Sequence, residues 1–392
     1  MRQKVVWFIL GVLVGSLFVV SAYPTNESVQ YSTPAIQKIA GNNYTTYLLY
    51  PKNGLPLSPE FLKQTIPKLV EKSAPNAKWH VYAVPELPRG SVITGYGIKV
   101  TKDGRVDILI TATSRKTPIL PDKIRSELLG WGRKAPKFKP DVIPKEKIGV
   151  PKGWEVKTVD SNGNVKVYSG ESSPYWKSLG EITIKVNDAP YGNIYALASV
   201  YGLKDDNDPS KEYFLVAPPK NAPNEGRYEV DPGYGLRKVE GNTNYKDYVT
   251  ESAKIIHNWN MDSSLDPELM IADPVMHQNG HTIVQVTFGC PIPAVTFTST
   301  IPNFEMLPAV DRSTQIATWL LKFDTNSLDA KYSFKTDVAS EASVSQSVLH
   351  NGQWHAIVNV KFQATFIQVG DVLGWWGSHT TWGAVTFYVK VG

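Results

Sequence analysis

The sequence predicts a mostly β protein, in which a C-terminal antiparallel β-sandwich or barrel-like domain follows a small α+β domain. Three observations carry this reading. Beyond residue 154 the chain breaks into short alternating apolar runs separated by Gly, Pro and Asn turns, the pattern of packed antiparallel sheets. Helical spacing of apolar residues is confined to segments before residue 132. A hairpin-like segment is written nearly twice, as VMHQNGHTIVQVTF at 275–288 and VLHNGQWHAIVNVKF at 348–362. Each copy carries Asn-Gly flanked by alternating apolar residues, and both positions of a type I′ turn need positive φ, so each predicts a hairpin.

In chain order, Arg2 and Lys4 precede an uncharged run from Val5 to Val20, with small residues Ser21 and Ala22 behind it. Residues 1–22 therefore read as a secretory signal peptide, and the chain as secreted or displayed at the cell surface. A retained signal anchor is the alternative, since Gly11 and Gly15 form a GxxxG pattern; only then would the protein touch a membrane. The sequons at Asn26 and Asn43 follow, as expected of a glycoprotein. Over 44–132, Ser58-Pro59-Glu60 sets an N-cap with Pro at the first helical position, and Phe61, Ile66, Leu69 and Val70 repeat at helical spacing. Trp79–Val84, Val92–Val100 and Val106–Thr113 alternate as strands, the last two joined by Lys102-Asp103-Gly104, and Pro121–Leu129 is a second helix. Residues 133–153, rich in Pro and Lys, read as a linker. The β-rich domain 154–392 then supplies strands at 155–160, 165–169, 181–186, 194–201, 213–217, 255–261, 314–323 and 384–391, besides the doubled hairpin.

Charge and cysteine content exclude two classes. Removing Arg2 and Lys4 with the signal lowers the net charge from +5 to +3, and the linker alone holds seven basic against two acidic residues. No domain has the basic face that nucleic acid requires. The single cysteine, Cys290, excludes an internal disulfide framework and reads as a buried thiol.

Chemistry-bearing residues are sparse. An Asn279-Gly280 turn sends His277 and His281 to opposite faces, and His350 and His355 are split in the same way, so neither hairpin chelates a metal alone. Lys322 ends the apolar run Ile316–Leu321. Buried, it would shift toward the neutral amine, a metal ligand or base; at the strand end it would snorkel beside Asp324. Ile255, His257, Trp259 and Met261 share one strand face, and imidazole and thioether both ligate haem iron. Core packing is the competing fate of that stripe.

Several short motifs over 174–392 occur in a familiar order. Trp176 precedes ITIKV at 182–186, GNIYALASVYGLKDDN at 192–207, KIIHNWNM at 254–261, Gly289-Cys290, Trp319-Leu320-Leu321-Lys322, NGQWHAIVNVKF at 351–362 and a tryptophan-rich end. Together they resemble the haem b-binding gamma subunit of ethylbenzene and dimethylsulfide dehydrogenases. The resemblance implies an electron-transfer protein holding non-covalent haem b between Met261 and Lys322, with His257, Trp259 and Trp319 around it and a respiratory or molybdenum-enzyme partner. Leu321 stands where the family has a second tryptophan, and residues 44–153 lie outside the resemblance. A different class competes: Trp354, Trp375, Trp376 and Trp382 crowd the last forty residues, as on an adhesive, self-assembling or glycan-binding surface sandwich without a cofactor. No nucleophile elbow or paired-carboxylate motif points to a hydrolase.

Overall fold

Two large sheets, antiparallel apart from one strand pair, organise the computed structural model. It describes residues 29–136, 155–159, 165–169, 175–204, 208–217, 228–233, 248–273, 282–288, 295–301, 305–336, 338–368 and 378–392. The larger sheet has eleven strands. Its main path runs β1 (Ala35–Ala40), β2 (Tyr44–Tyr50), β4 (Ser91–Thr101), β5 (Val106–Ser114), β8 (Tyr175–Asp188), β9 (Gly192–Lys204), β10 (Lys211–Ala217), β19 (Ala339–Ser345) and β13 (Glu268–Asp273). A branch adds β11 (Tyr228–Pro232) beside β9 and then β18 (Phe334–Thr336). The second sheet orders β16 (Glu305–Asp311), β17 (Ile316–Lys322), β12 (Tyr248–Asn258), β20 (His355–Gln368), β21 (Ser378–Val391) and β3 (Trp79–Glu86). Two further hairpins, β6 (Glu155–Val159) with β7 (Val165–Ser169) and β14 (Thr282–Phe288) with β15 (Val295–Ile301), form sheets of their own.

The mostly β class and its sandwich architecture are as the turn pattern predicts. The division into domains takes a different form, because residues 44–132 place strands in both sheets. β5 pairs in parallel with β8 across the 133–153 segment, and β3 pairs with β21 at the chain end. Ser32–Gly392 forms one compact unit, and one apolar core runs from Tyr47 to Val391. Inner-face residues such as Ile98, Ile108, Ile184, Trp319, Phe366 and Phe387 fill it. Tyr96 is wholly buried there because its hydroxyl donates to Ala83 O at 2.7 Å. Gly383 lets the sheets touch: a Cβ there would lie 2.8 Å from Ile184 Cδ1.

The second copy of the doubled segment does not form a hairpin. Residues 274–281 of the first copy lie outside the described residues, and β14 pairs downstream with β15. In the second copy Gln346–Leu349 coils into one helical turn instead of a strand. β20 is already flanked by β12 and β21, so its backbone donors and acceptors are satisfied without the residues before it.

Helix α1 (Pro59–Ser73) starts as its cap predicts, with Ser58 Oγ accepting from Phe61 N at 3.2 Å. Leu62, Ile66 and Val70 enter the main core. Helix α2 (Pro121–Gly132) covers the outer face of β2 and β4, where Leu128 meets Leu48 and Leu109. The β4–β5 turn requires Gly104, at φ +88°, since a Cβ would fall 1.8 Å from Trp79 O.

Beneath α2 lies a buried lysine. Lys99 opposes Asp107 across the β4–β5 ladder, bonds it at 2.8 Å and sits 3.6 Å from the Trp131 ring centre. Burial pushes the Lys99 ammonium down and the Asp107 carboxyl up, and each offsets the shift of the other. Removing one charge strands its partner, so Asp107→Asn is expected to cost about 3–5 kcal/mol, whereas the paired change Lys99→Met with Asp107→Leu costs less than the single one. Urea unfolding checks this. A single-variant loss below about 1 kcal/mol would show that the pair is effectively solvated.

Candidate functional site

The residues expected around a haem separate into three places. β12 turns Ile255 and His257 inward, and Trp259, just past its end, is also buried. Trp319 comes from the adjacent β17, its ring 5.0 Å from the His257 ring in an edge-on arrangement. Ser340 of β19 joins them from the opposite sheet: Trp259 Nε1 donates to Ser340 Oγ at 2.9 Å, and His257 Nδ1 lies 2.8 Å from the same oxygen. Nδ1 is the acceptor available to the Ser340 hydroxyl proton, which assigns the histidine proton to Nε2. Burial pushes the His257 pKa down to about 3, so the ring is neutral at physiological pH.

Met261 and Lys322 lie elsewhere. β12 and β17 run antiparallel, with Asn258 opposite Ile316 and Ser252 opposite Lys322. Met261 follows the Asn258 end, half-exposed, while Lys322 stands at the other end, about 20 Å away along the ladder at roughly 3.3 Å per residue. Lys322 is 53% exposed on the outer face, with Glu305 Oε2 at 3.8 Å rather than Asp324 as its neighbour. The two expected axial ligands do not bracket one iron. His257 borders a cavity of about 20 Å³ with Tyr228, Ile255, Thr336 and Phe362, room for about one water. Pockets for ligands of cofactor size run to about 300–1,000 Å³. In this arrangement Met261 and Lys322 do not share one iron, and His257 and Trp259 bond Ser340 of the opposite sheet while Trp319 packs against the His257 ring.

The other described histidines are each engaged separately. His350 Nε2 meets Glu212 at 2.8 Å, His355 Nδ1 meets Asp262 at 2.7 Å, and His379 Nε2 meets Asp188 at 2.7 Å while stacking on Tyr191. His80 bonds Ala74 O at 2.8 Å. His277, His281 and Cys290 lie outside the described residues. Among the described residues no three His, Cys, Asp or Glu side chains group as a metal site.

One unexpected group is Glu341 of β19, fully buried between its cross-strand neighbours Leu215 and Ile271. Neither carboxyl oxygen has a hydrogen-bond partner. Burial pushes its pKa up to about 8, so it is held protonated at neutral pH.

The outer face of the six-stranded sheet presents the other assembly that residue patterns left unmarked. Leu307, Leu320, Lys254, Gln363 and Trp382 stand opposite one another across five strands in one row, all half-buried. Lys361, one diagonal step away, holds its ammonium 4.1 Å from the Trp382 ring centre. Trp354 is not part of this face: its indole donates to Glu71 of α1 at 2.9 Å and its ring packs edge-on against Tyr82. Trp375 and Trp376 lie outside the described residues.

No family model matches this chain, and no curated protein matches it. Among solved structures it is similar to the Clostridium perfringens NetB toxin in its membrane-inserted form, at 12% identity and a TM-score of 0.26, over 53% of this chain and 95% of that one. A superposition at that score decides nothing about function.

The two buried titratable groups set opposite pH slopes. Glu341 keeps its proton in the folded state up to about pH 8 but loses it near 4.5 when unfolded, so stability falls as pH rises from 4.5 to 8. His257 protonates near 6.5 only when unfolded, so stability falls as pH drops from 6.5 toward 3. The slopes oppose between 4.5 and 6.5, leaving a plateau there and a decline of about 2 kcal/mol, at roughly 1.4 per unit of pH, toward pH 8. Calorimetric melting of Glu341→Gln should lose that alkaline decline. A decline of unchanged slope in the variant would assign it to other groups.

Proposed function

We propose that this chain is an exported surface protein that attaches to glycan through the outer face of its six-stranded sheet, and works without a bound haem. The observation that carries the reading is the Trp382 row. A half-exposed indole on a broad sheet, with an amide and two ammonium groups beside it, offers the apolar ring and hydrogen-bonding rim that sugars need. Helix α1 covers the β3 end of this sheet, where Glu71 meets Lys390 at 2.9 Å, and α2 lies against β2 and β4 of the other sheet. Export agrees with the N-terminal targeting pattern and with Asn43, whose sequon is exposed at the turn between β1 and β2. A β-sandwich with its core shared between both ends of the chain also suits a protein that must hold shape without disulfides.

Full-length protein on a glycan array should bind a subset of saccharides. Trp382→Ala should cut that signal roughly tenfold, the loss of one aromatic contact of about 1–1.5 kcal/mol, with an unchanged melting temperature. An array without signal, or a folded Trp382→Ala protein that binds as wild type does, would overturn the reading.

A further inference from the structure

The same face carries an electrostatic feature that goes beyond a preference for sugars in general. Lys254 of β12 stands opposite Gln363 of β20, and Lys361 of β20 stands opposite Ile256 of β12. The two lysines are therefore diagonal neighbours on one face, at a spacing of about 7–8 Å between positions. Both are half-buried. Like charges so placed on a sheet repel, and neither ammonium forms an ion pair among the described residues. The lysine at the end of the neighbouring strand differs, because Lys322 has Glu305 at 3.8 Å.

One carboxylate acts on Lys361 from two strands away. Glu86 of β3 accepts from Thr386 Oγ1 at 2.8 Å and from Asn359 Nδ2 at 3.2 Å, so it acts on Lys361 only through space. Burial and then the neighbouring Lys254 lower the Lys361 pKa, and Glu86 raises it in part. Trp382 holds the Lys361 ammonium above the sheet, and Gln363 stands between Lys254 and Trp382 with donor and acceptor on one amide. Positive charge, an amide and an indole within two cross-strand rows complement a sugar that carries an anionic group.

We infer that Lys254, Lys361, Gln363 and Trp382 form a binding site for an acidic polysaccharide, with the sugar's carboxylate or sulfate between the two ammonium groups and its hydroxyls at Gln363. The inference rests on the glycan reading above and narrows it to one charge class. Charge complementarity selects the occupant: among the described residues the two cations lack a counter-charge at contact distance, and a charged sugar repeat provides one at each residue. The charge match is independent of whether the anion is a carboxylate or a sulfate, and the polymers used in the test separate these.

The test uses the full-length protein with polygalacturonate, dextran sulfate and neutral dextran in affinity electrophoresis, beside the Lys254→Gln/Lys361→Gln double variant. Wild type should be retarded by at least one acidic polymer and not by neutral dextran. The double variant should lose roughly tenfold in affinity for the acidic polymer, and its binding should depend less steeply on salt, as removal of two cationic contacts requires. Melting curves of both proteins report whether the fold is kept, and Lys254→Arg/Lys361→Arg should retain binding. Equal binding of neutral and acidic polymers would overturn the charge inference while the glycan reading stands; no binding to any saccharide would overturn both. Equal retardation of a folded double variant would place the acidic polymer elsewhere on the protein and also overturn the site.

Discussion

Trp79–Glu86 and Ala384–Val391 pair along their full length, and this ladder between an early and the final strand is the constraint on which both sheets depend. Without β3 the six-stranded sheet would end at β21, and α1, which packs on β3, would lose its support. Bringing together segments about 300 residues apart costs on the order of 5 kcal/mol of chain entropy. Apolar burial offsets it: Val81, Ala83, Val385, Phe387 and Val389 are fully buried in the shared core. The parallel contact of β5 with β8 does the same for the larger sheet. Together they explain why a segment that reads locally as a small α+β domain contributes most of its apolar residues to the shared core, beside its own small cluster of Leu48, Leu109 and Leu128. Its strands are completed by partners from the far end of the chain.

Local signals made the strands legible and left their partners obscure. Alternation placed Val106–Thr113, Ile194–Tyr201 and the closing strand within a few residues of β5, β9 and β21. The Ser58 cap and the Lys102-Asp103-Gly104 turn were readable because each is satisfied within its own few residues. The repeated Asn-Gly segment misled for the opposite reason. Gly352 does take φ +76°, yet a positive-φ glycine fixes only a turn, and the strand after it took β12 and β21 as neighbours. Pairing between distant strands is decided by total burial, which no short window contains.

The lysine assignments show the same division. Trp319 and Lys322 are three residues apart, an odd step in a strand, so they face opposite sides and cannot share one pocket. That argument needs no structure. Lys99 is the lysine that is buried, and its signal was also present: a tight turn at 102–104 sets Lys99 opposite Asp107, two charges on otherwise apolar strands. Glu341 gave no such signal, since the sequence ASEASVS is polar enough for a surface strand and is buried by its position between β10 and β13. Trp382 and Lys361 become neighbours only through the register of β20 on β21, and Lys254 joins them through that of β12 on β20.

Buried and half-buried charges are handled in two different ways in this protein, and the difference bears on function. Where a charge is inside, it is matched or silenced: Lys99 has Asp107, His257 is neutral beside Ser340, and Glu341 keeps its proton. Each arrangement minimises the desolvation cost that packing imposes. On the outer face of the six-stranded sheet that economy is dropped, because Lys254 and Lys361 repel each other with no carboxylate in contact among the described residues. A threonine at either position would keep the β propensity and remove the repulsion, as the Thr365–Thr380 pair on the same face does with its hydroxyl contact at 3.0 Å. Apart from the contact of Lys361 with the Trp382 ring, two like charges so placed oppose folding where a neutral pair would not. On the binding site inferred above, an anion between them would relieve that repulsion and bind more tightly for it.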